Sequence, residues 1–465
     1  MVLAYLLFVF GIASWQYWYG SVPLTINEGI YATIGQALGA GKHLYQDIWD
    51  HKPPLVFGLY ALALRVFPDV EVASRALAGL AQALTGLFLA LIAQRLGASR
   101  QVLRWVLGLY LVLLLPPQLQ TWSAQADSLM LPFLLAAFWV ALHPDRSAKR
   151  AALAGALWAL AFLVKQTALF FLPLFFLAPV ALKDRGQWFL VGLNAVVIPL
   201  AVPFFLNGSN QLWAQAVWGA NFAYVAGGWQ AWLTQAESRA MTLDWLWRAA
   251  LVYLPFLMAA ALGWRVSAPE EATEAAGKQW AWAWVGLGAL SCAASGKFFN
   301  YYAVVILPPL AYLVAVELGK EGASGVRRWA ALGLAAIFAS FLLVHFDEPL
   351  ALKQGQYSLQ RMDAARAAGV YIKANAKPGQ SLWVQSYESQ IYAYAEMQPC
   401  CSRYFVRDHR LAMVGEEAQA NRRLKAAGQV WVVDQALETS PSMVSTTAFG
   451  NLRLSLVDGK VASGL

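Results

Sequence analysis

Charge is scarce in this sequence. Of 465 residues, 34 are Lys or Arg and 26 are Asp or Glu, so charged residues make up 13% of the chain, where a soluble protein carries about 25%. That deficit excludes a soluble fold, whose surface would need far more charge. Cysteine is rarer still. Cys292 lies in an apolar stretch as a small buried hydrophobe, and Cys400 and Cys401 are neighbours, so no disulfide framework is expected. The sequence lacks a His/Cys cluster of the zinc type, internal repeats and low-complexity segments. It also lacks a basic segment ahead of the first apolar block and a small-residue cleavage site behind it. Met1–Trp15 is therefore expected to remain as a span rather than leave as a signal peptide.

What is abundant is apolar: 59% of the residues are hydrophobic, gathered in uncharged blocks such as Ala76–Ala93, Leu129–Leu142 and Ala168–Leu182. Several approach the roughly 20 residues that cross a bilayer. The pattern predicts a polytopic α-helical membrane protein with about eleven spans, the first at 2–19 and the last at 329–345. The net charge of +8 then reports sidedness rather than nucleic-acid binding. Arg95, Arg100, Arg104, Arg146, Lys149, Arg150, Lys183, Arg185, Arg265, Lys278, Lys320, Arg327 and Arg328 fall in one alternating set of short connections, expected to face the cytoplasm. An odd number of spans with the N-terminus inside puts the C-terminus outside.

Two regions outside the spans are large enough for structure of their own: the first outside loop, 20–74, and the tail, 346–465. The chain thus divides into a membrane domain (1–345) and a small extracytoplasmic α/β domain (346–465). In the loop, Glu28–Ala40 reads as a helix stopped by Gly39-Ala40-Gly41, and Pro53-Pro54 opens a second, Leu55–Phe67, too short to cross and suited to the membrane surface. In the tail, Leu359–Ala376 and Leu411–Ala427 read as helices, and Ser381–Gln385 and Val430–Val433 as strands.

The informative residues are charged ones at outside span ends, where charge near hydrocarbon is costly and lysine is disfavoured. Glu28, Asp47, Asp50, Lys52, Asp127, Lys165 and Lys297 all fall there. Singly, each reads as an interfacial anchor with its head in water. Together they suit a reaction on a lipid phosphate, in which lysines meet phosphate oxygens and a carboxylate takes a proton from the attacking group. The connection over 207–243 is rich in aromatics, among them Trp213, Trp218, Tyr224, Trp229 and Trp232. It reads first as an interfacial belt, and more sharply as a mobile cover over a donor groove.

The run Asn27-Glu28-Gly29-Ile30-Tyr31-Ala32, followed by Tyr45-Gln46-Asp47 and Asp50-His51-Lys52-Pro53-Pro54-Leu55, resembles the first outside loop of bacterial glycosyltransferase family 39. These are GT-C membrane glycosyltransferases, related to protein O-mannosyltransferases and the lipid A aminoarabinose transferase. Phe162-Leu163-Val164-Lys165-Gln166, Gly296-Lys297-Phe298-Phe299-Asn300-Tyr301-Tyr302 and, in the tail, Trp383 through Ser402-Arg403-Tyr404 extend the likeness.

The resemblance implies a GT-C fold in a bacterial inner membrane. It also implies inverting transfer of a sugar from a polyprenyl-phosphate donor to a lipid, glycan or protein acceptor on the outer face. It assigns the catalytic base to the first acidic motif. Where relatives carry Asp-Glu, this chain has Asn27-Glu28, so Glu28 is expected to take the role, with Asp47 second and Asp50 as a further candidate. Lys52 and Lys297 match positions associated with the lipid phosphate, Lys165 more weakly. Asp127 matches a second acidic position, and Asn27, Tyr31, Tyr301 and Tyr302 join the substrate-binding set. Tyr301 stands where a histidine is common and takes no acid/base role. No metal site or required cofactor is expected, Mg or Mn being the ion that so thin a carboxylate set could hold. The rival readings are a flippase or transporter for the sugar-lipid, and an assembly subunit that keeps the fold without turnover.

Overall fold

The computed structural model describes residues 2–145, 147–177, 179–180, 182–266, 272–320, 323–346, 359–399, 422, 426, 429–435, 446–449 and 452–458. Cys400, Cys401, Ser402-Arg403-Tyr404 and the helix expected over 411–427 lie outside them, apart from positions 422 and 426. In chain order the helices begin α1 (Val2–Trp18), α2 (Ile26–Gly39), α3 (Pro54–Val66), α4 (Val70–Arg95), α5 (Arg100–Leu114), α6 (Ala126–Ala141), α7 (Ala148–Val164) and α8 (Gly186–Leu206). They continue with α9 (Asn210–Ala214), α10 (Ala220–Thr234), α11 (Ala236–Val266), α12 (Ala272–Ala293), α13 (Leu307–Leu318), α14 (Ser324–Phe346), α15 (Leu359–Asn375) and α16 (Gln390–Ala395). The chain divides into two compact units. One comprises Met1–Trp18, Ala78–Asn207 and Tyr224–Phe346; the other comprises Tyr19–Leu77, Gly208–Ala223 and Asp347–Leu465.

The first unit is helical. Val70–Arg95, Gly186–Leu206 and the run Asn300–Leu318 are long and apolar enough to cross a membrane, and Ala236–Trp247 with Ala249–Trp264, bent by 45°, make a fourth candidate. Val2–Trp18 and Ala126–Ala141 are apolar but shorter. Across the uncharged block Ala168–Leu182 the chain winds as a 3-10 helix, Gln166–Phe176, with Pro173 inside it. Proline removes a donor and the steeper winding lengthens the rise to about 2.0 Å per residue. The outside connection expected over 207–243 is largely helical, with one π turn at Gln215–Gly219. Leu190, Val191, Ile198 and Phe205 on α8 are 53–60% exposed, an apolar exterior that suits hydrocarbon. Inside the unit, α7 and α8 touch backbone to backbone. A Cβ at Gly155 would lie 2.0 Å from Phe189 O, and one at Gly192 would lie 1.7 Å from Ala152 O, so only glycine permits that approach.

The second unit packs α2 against α3 and the tail helix α16. The two short helices expected in the first loop form within two residues of the expected limits. In the tail, β1 (Ser381–Val384), β2 (Gln429–Gln435), β3 (Thr446–Phe449) and β4 (Leu452–Asp458) make a sheet of order β1-β2-β4-β3. β1 and β2 run parallel, with Trp383 opposite Val432; the other pairs are antiparallel.

Candidate active-site residues

In the loop-and-tail unit, the start of α2 is set by a reciprocal cap. Thr25 Oγ1 accepts the Glu28 N–H at 3.3 Å, while Glu28 Oε2 accepts the Thr25 N–H at 2.9 Å and its hydroxyl at 3.0 Å, an arrangement that satisfies orphan donors at a helix N-terminus. The other Glu28 oxygen accepts from Arg75 Nη1 at 2.7 Å and from the Ser74 hydroxyl. Arg75 also donates to Tyr19 O and Val22 O. Glu28 is fully buried. Its carboxylate therefore serves four donors and joins the cap of α2 to Ser74 and Arg75. Asn27 beside it is half-buried.

The turn between α2 and α3 holds the other two carboxylates. Tyr45 sits at φ 66°, a left-handed conformation that costs a bulky residue energy. Its hydroxyl donates to Lys52 O at 2.7 Å. Burial, then the nearby Asp50 carboxylate, push the Tyr45 phenol well above its ordinary range, so it stays a donor. Asp50 is fully buried and accepts the Lys52 N–H at 2.9 Å, with His51 Nδ1 and Lys52 Nζ each at 3.7 Å. Lys52 Nζ lies over the Tyr31 ring, 5.2 Å from its centroid, and Tyr31 packs edge-on against Phe57 and Tyr60. Asn221 reaches in to donate to His51 O at 2.6 Å. Asp47 differs from its neighbours. It is half-buried, and its only side-chain hydrogen bond among the described residues is from the His43 N–H to Oδ2, at 2.7 Å.

In the helical unit, Asp127 stands in the first turn of α6 and Lys165 caps the C-terminus of the neighbouring α7. Each charge thus complements its helix dipole. The ammonium donates to both Asp127 oxygens, at 2.7 and 2.6 Å, and the pair is buried. Lys165 Nζ also lies 4.1 Å from the Tyr302 ring centroid. Tyr302 hydrogen-bonds Tyr224, and Lys297 Nζ lies 3.9 Å from the Tyr224 centroid. Tyr301 stacks on Phe299 and meets Tyr302 edge-on. Asp127, Lys165, Tyr302, Tyr301 and Lys297 are thus brought into one line. Its middle link, Tyr224, is visible in the sequence only as one aromatic among many. The Lys297 turn is itself pinned: Trp229 Nε1 donates to Ala294 O at 3.1 Å, and its ring meets Phe298 edge-on.

The structure thus brings Lys52, Asp50 and Tyr31 together in one unit and Asp127, Lys165, Tyr301, Tyr302 and Lys297 together in the other. Arg75, Ser74, Thr25 and Asn221 are the residues that sequence reasoning left without a role. Among the described residues, no group of three or more His, Cys, Asp or Glu side chains is placed to hold a metal ion.

Residues 51–207 match the family model described as dolichyl-phosphate-mannose-protein mannosyltransferase. No curated protein matches the sequence. Among solved structures, ArnT from Cupriavidus metallidurans bound to undecaprenyl phosphate is 14% identical, with a TM-score of 0.61 and 97% of each chain covered. The oligosaccharyltransferase AglB from Archaeoglobus fulgidus, in complex with an inhibitory peptide and a dolichol-phosphate, is 12% identical with a TM-score of 0.55. That match covers 93% of this chain and 69% of AglB. At such identities the likeness is one of fold, and it runs through the apolar helices and the tail alike. The chain is therefore similar in fold to these two membrane proteins, and over 51–207 to the mannosyltransferase family model.

Proposed function

We propose that the protein transfers a sugar from a polyprenyl-phosphate donor to an acceptor hydroxyl, with inversion, on the outer face of a bacterial inner membrane. In this reading the membrane domain, 1–345, has about eleven spans with its N-terminus in the cytoplasm, and the α/β domain, 346–465, is extracytoplasmic. The observation that carries the reading is the likeness of fold, over 97% of the chain, to a protein crystallised with undecaprenyl phosphate. The matched family description points to the same class of donor.

The side chains suggest a division of labour. The acceptor O–H gives its proton to a carboxylate as its oxygen attacks C1 of the sugar; the C1–O bond breaks, and the lipid phosphate leaves with the electron pair. Glu28, first by resemblance, already accepts from four donors, so the base role passes to Asp47, whose Oδ1 accepts no hydrogen bond among the described residues. Asp50 holds Lys52, and Lys52 and Lys297 meet the charge developing on the phosphate. Lys165 and Asp127 are committed to each other and hold Tyr302. Lysines do the work a divalent cation would do, so a chelator is expected to leave turnover unchanged.

The test is incubation with a panel of labelled polyprenyl-phosphate monosaccharides. Release of lipid phosphate in step with label on the acceptor is the expected result. Movement of intact sugar-lipid across the membrane without release would make the protein a flippase, and neither outcome would leave an assembly subunit.

A further inference from the structure

The tail contains a second concentration of polar groups that the proposed chemistry does not use. β1 ends at Val384, and the turn beyond it runs Ser386, Tyr387, Glu388, Ser389 and Gln390 into α16. Ser386 and Ser389 are 1% exposed, and Glu388 and Gln390 are 0% exposed. Yet among the described residues Ser386 Oγ, Ser389 Oγ, Glu388 Oε2 and both amide atoms of Gln390 have no hydrogen-bond partner. The turn itself is firmly held. Tyr392 Oη accepts the Val384 N–H at 2.8 Å, Gln36 donates to Ala393 O at 3.1 Å, and Tyr394 Oη accepts the Leu24 N–H at 2.7 Å. It lies directly on α2: a Cβ at Gly29 would fall 2.2 Å from Gln390 Cα. Gly29 follows Asn27 and Glu28, so the Gln390 end of the turn lies beside the first acidic motif.

Five buried polar atoms without partners, within five residues, are costly to keep, and apolar side chains of the same size would stabilise the fold better. Their chemistry identifies what would satisfy them. Arg361 Nε donates to Glu388 Oε1 at 2.8 Å, so the carboxylate is neutralised and offers one further acceptor. Two hydroxyls can donate or accept, and a carboxamide does both. The set is uncharged overall and alternates donors with acceptors, which matches vicinal hydroxyls and not a phosphate. Its position beyond the carboxyl end of a strand that pairs in parallel agrees with where open α/β sheets bind ligands.

We propose that the Ser386–Gln390 turn is a saccharide subsite that holds sugar hydroxyls beside α2, an inference that rests on the transferase reading for its place in a reaction but not for its chemistry. The sugar belongs either to the donor or to the acceptor, and the experiment separates the two.

The full chain in detergent is titrated with methyl glycosides and followed by thermal shift, alongside Ser389→Ala/Gln390→Met and the milder Ser386→Ala. The expected result is saturable stabilisation of the wild type by at least one glycoside, weakened tenfold or more in the double variant and less in the single one. In turnover assays the double variant should raise KM tenfold or more for one sugar-bearing substrate, with kcat within a factor of about two. A rise confined to the donor titration assigns the subsite to the donor, and one confined to the acceptor titration assigns it to the acceptor. A wild type that binds no glycoside would overturn the proposal. So would a double variant with a lowered melting temperature but unchanged affinity and KM, because the cluster would then be structural. Glycoside binding without any turnover would retire the transferase reading and keep the subsite.

Discussion

Glu28 and Asp47 are acidic residues of the same outside loop, both in motifs that suggest chemistry, and the structure treats them oppositely. Glu28 is fully buried and accepts from Thr25, Ser74 and Arg75. Asp47 is half-buried, and among the described residues its side chain is bonded only to a backbone N–H of its own turn. A carboxylate surrounded by donors and paired with a buried guanidinium is committed to holding elements in place, since releasing it strands the partner's charge. One with an open oxygen near water can take a proton and give it back. The difference teaches that a motif names the neighbourhood of a reaction, while burial and donor count decide which of its residues is available to react.

The largest expected effects would break this comparison if they came out reversed. Glu28→Gln leaves Arg75 without its anionic partner and should cost about 3–5 kcal/mol of stability, seen as a lowered melting temperature and reduced yield. The folded fraction should keep its rate. Asp47→Asn should stay within about 0.5 kcal/mol of wild type and lose about 10²–10⁴ in kcat. An Asp47→Asn enzyme at full rate, beside a well-folded but inactive Glu28→Gln, would return the base role to Glu28. Lys165→Met extends the comparison to the helical unit. It leaves Asp127 buried without a cation and should cost a similar 3–5 kcal/mol, much of it recovered when Asp127 is also replaced by Leu. A Lys165→Met protein of wild-type stability would show that this pair is not committed as Glu28 is.

How much of this was legible in the sequence follows the range of the forces involved. The two loop helices could be read because Gly39, Gly41, Pro53 and Pro54 punctuate them locally, and β1 and β2 could be read because they are runs of buried β-formers. The Gln166–Phe176 segment could not, since composition tells an apolar stretch from a polar one but not a 3-10 helix from an α-helix. β3, Thr446–Phe449, is a short strand whose only pairing among the described residues is to β4, and four residues carry too little alternation to announce it. At the site, Lys52, Asp127, Lys165 and Lys297 stood out because charge is rare in this chain. Arg75 was equally rare, but its partner lies 47 positions earlier in sequence, and no spacing rule joins them. The orphaned turn at 386–390 was invisible for the opposite reason: Ser, Glu and Gln are ordinary in a tail, and only burial makes them unusual.

A smaller effect tests the available side of the comparison. Lys52 is held through its backbone N–H by Asp50, while its ammonium rests over Tyr31 with the carboxylate no nearer than 3.7 Å. Lys52→Ala therefore removes a charged donor without opening a close ion pair. It should raise the donor's KM about 10- to 100-fold, the value of a charge-assisted hydrogen bond of about 1.5–3 kcal/mol, with only a small change in melting temperature. Lys52→Arg should recover part of the loss. A fall in stability with unchanged KM would move Lys52 into the same class as Glu28.

The smallest effect concerns a carboxylate between the two extremes. Glu274, in the first turn of α12, is paired with Lys320 at 2.5 Å and with Lys278 at 3.0 Å, and Lys278 in turn pairs with Glu317. Burial alone would raise its pKa, but the two ammonium groups outweigh burial and leave it below the ordinary 4.5. The folded protein therefore binds fewer protons here than the unfolded chain does. The contribution of this carboxylate is fully present above pH 4.5 and is lost as pH falls through the lower folded-state value. Melting temperature followed from pH 7 downward should fall more steeply for the wild type than for Glu274→Gln below about pH 4.5. The difference should be modest, because the group remains in part solvated and salt screens it. Parallel curves would show that two nearby lysines are not enough to commit a carboxylate, and that full burial, as at Glu28, is what does so.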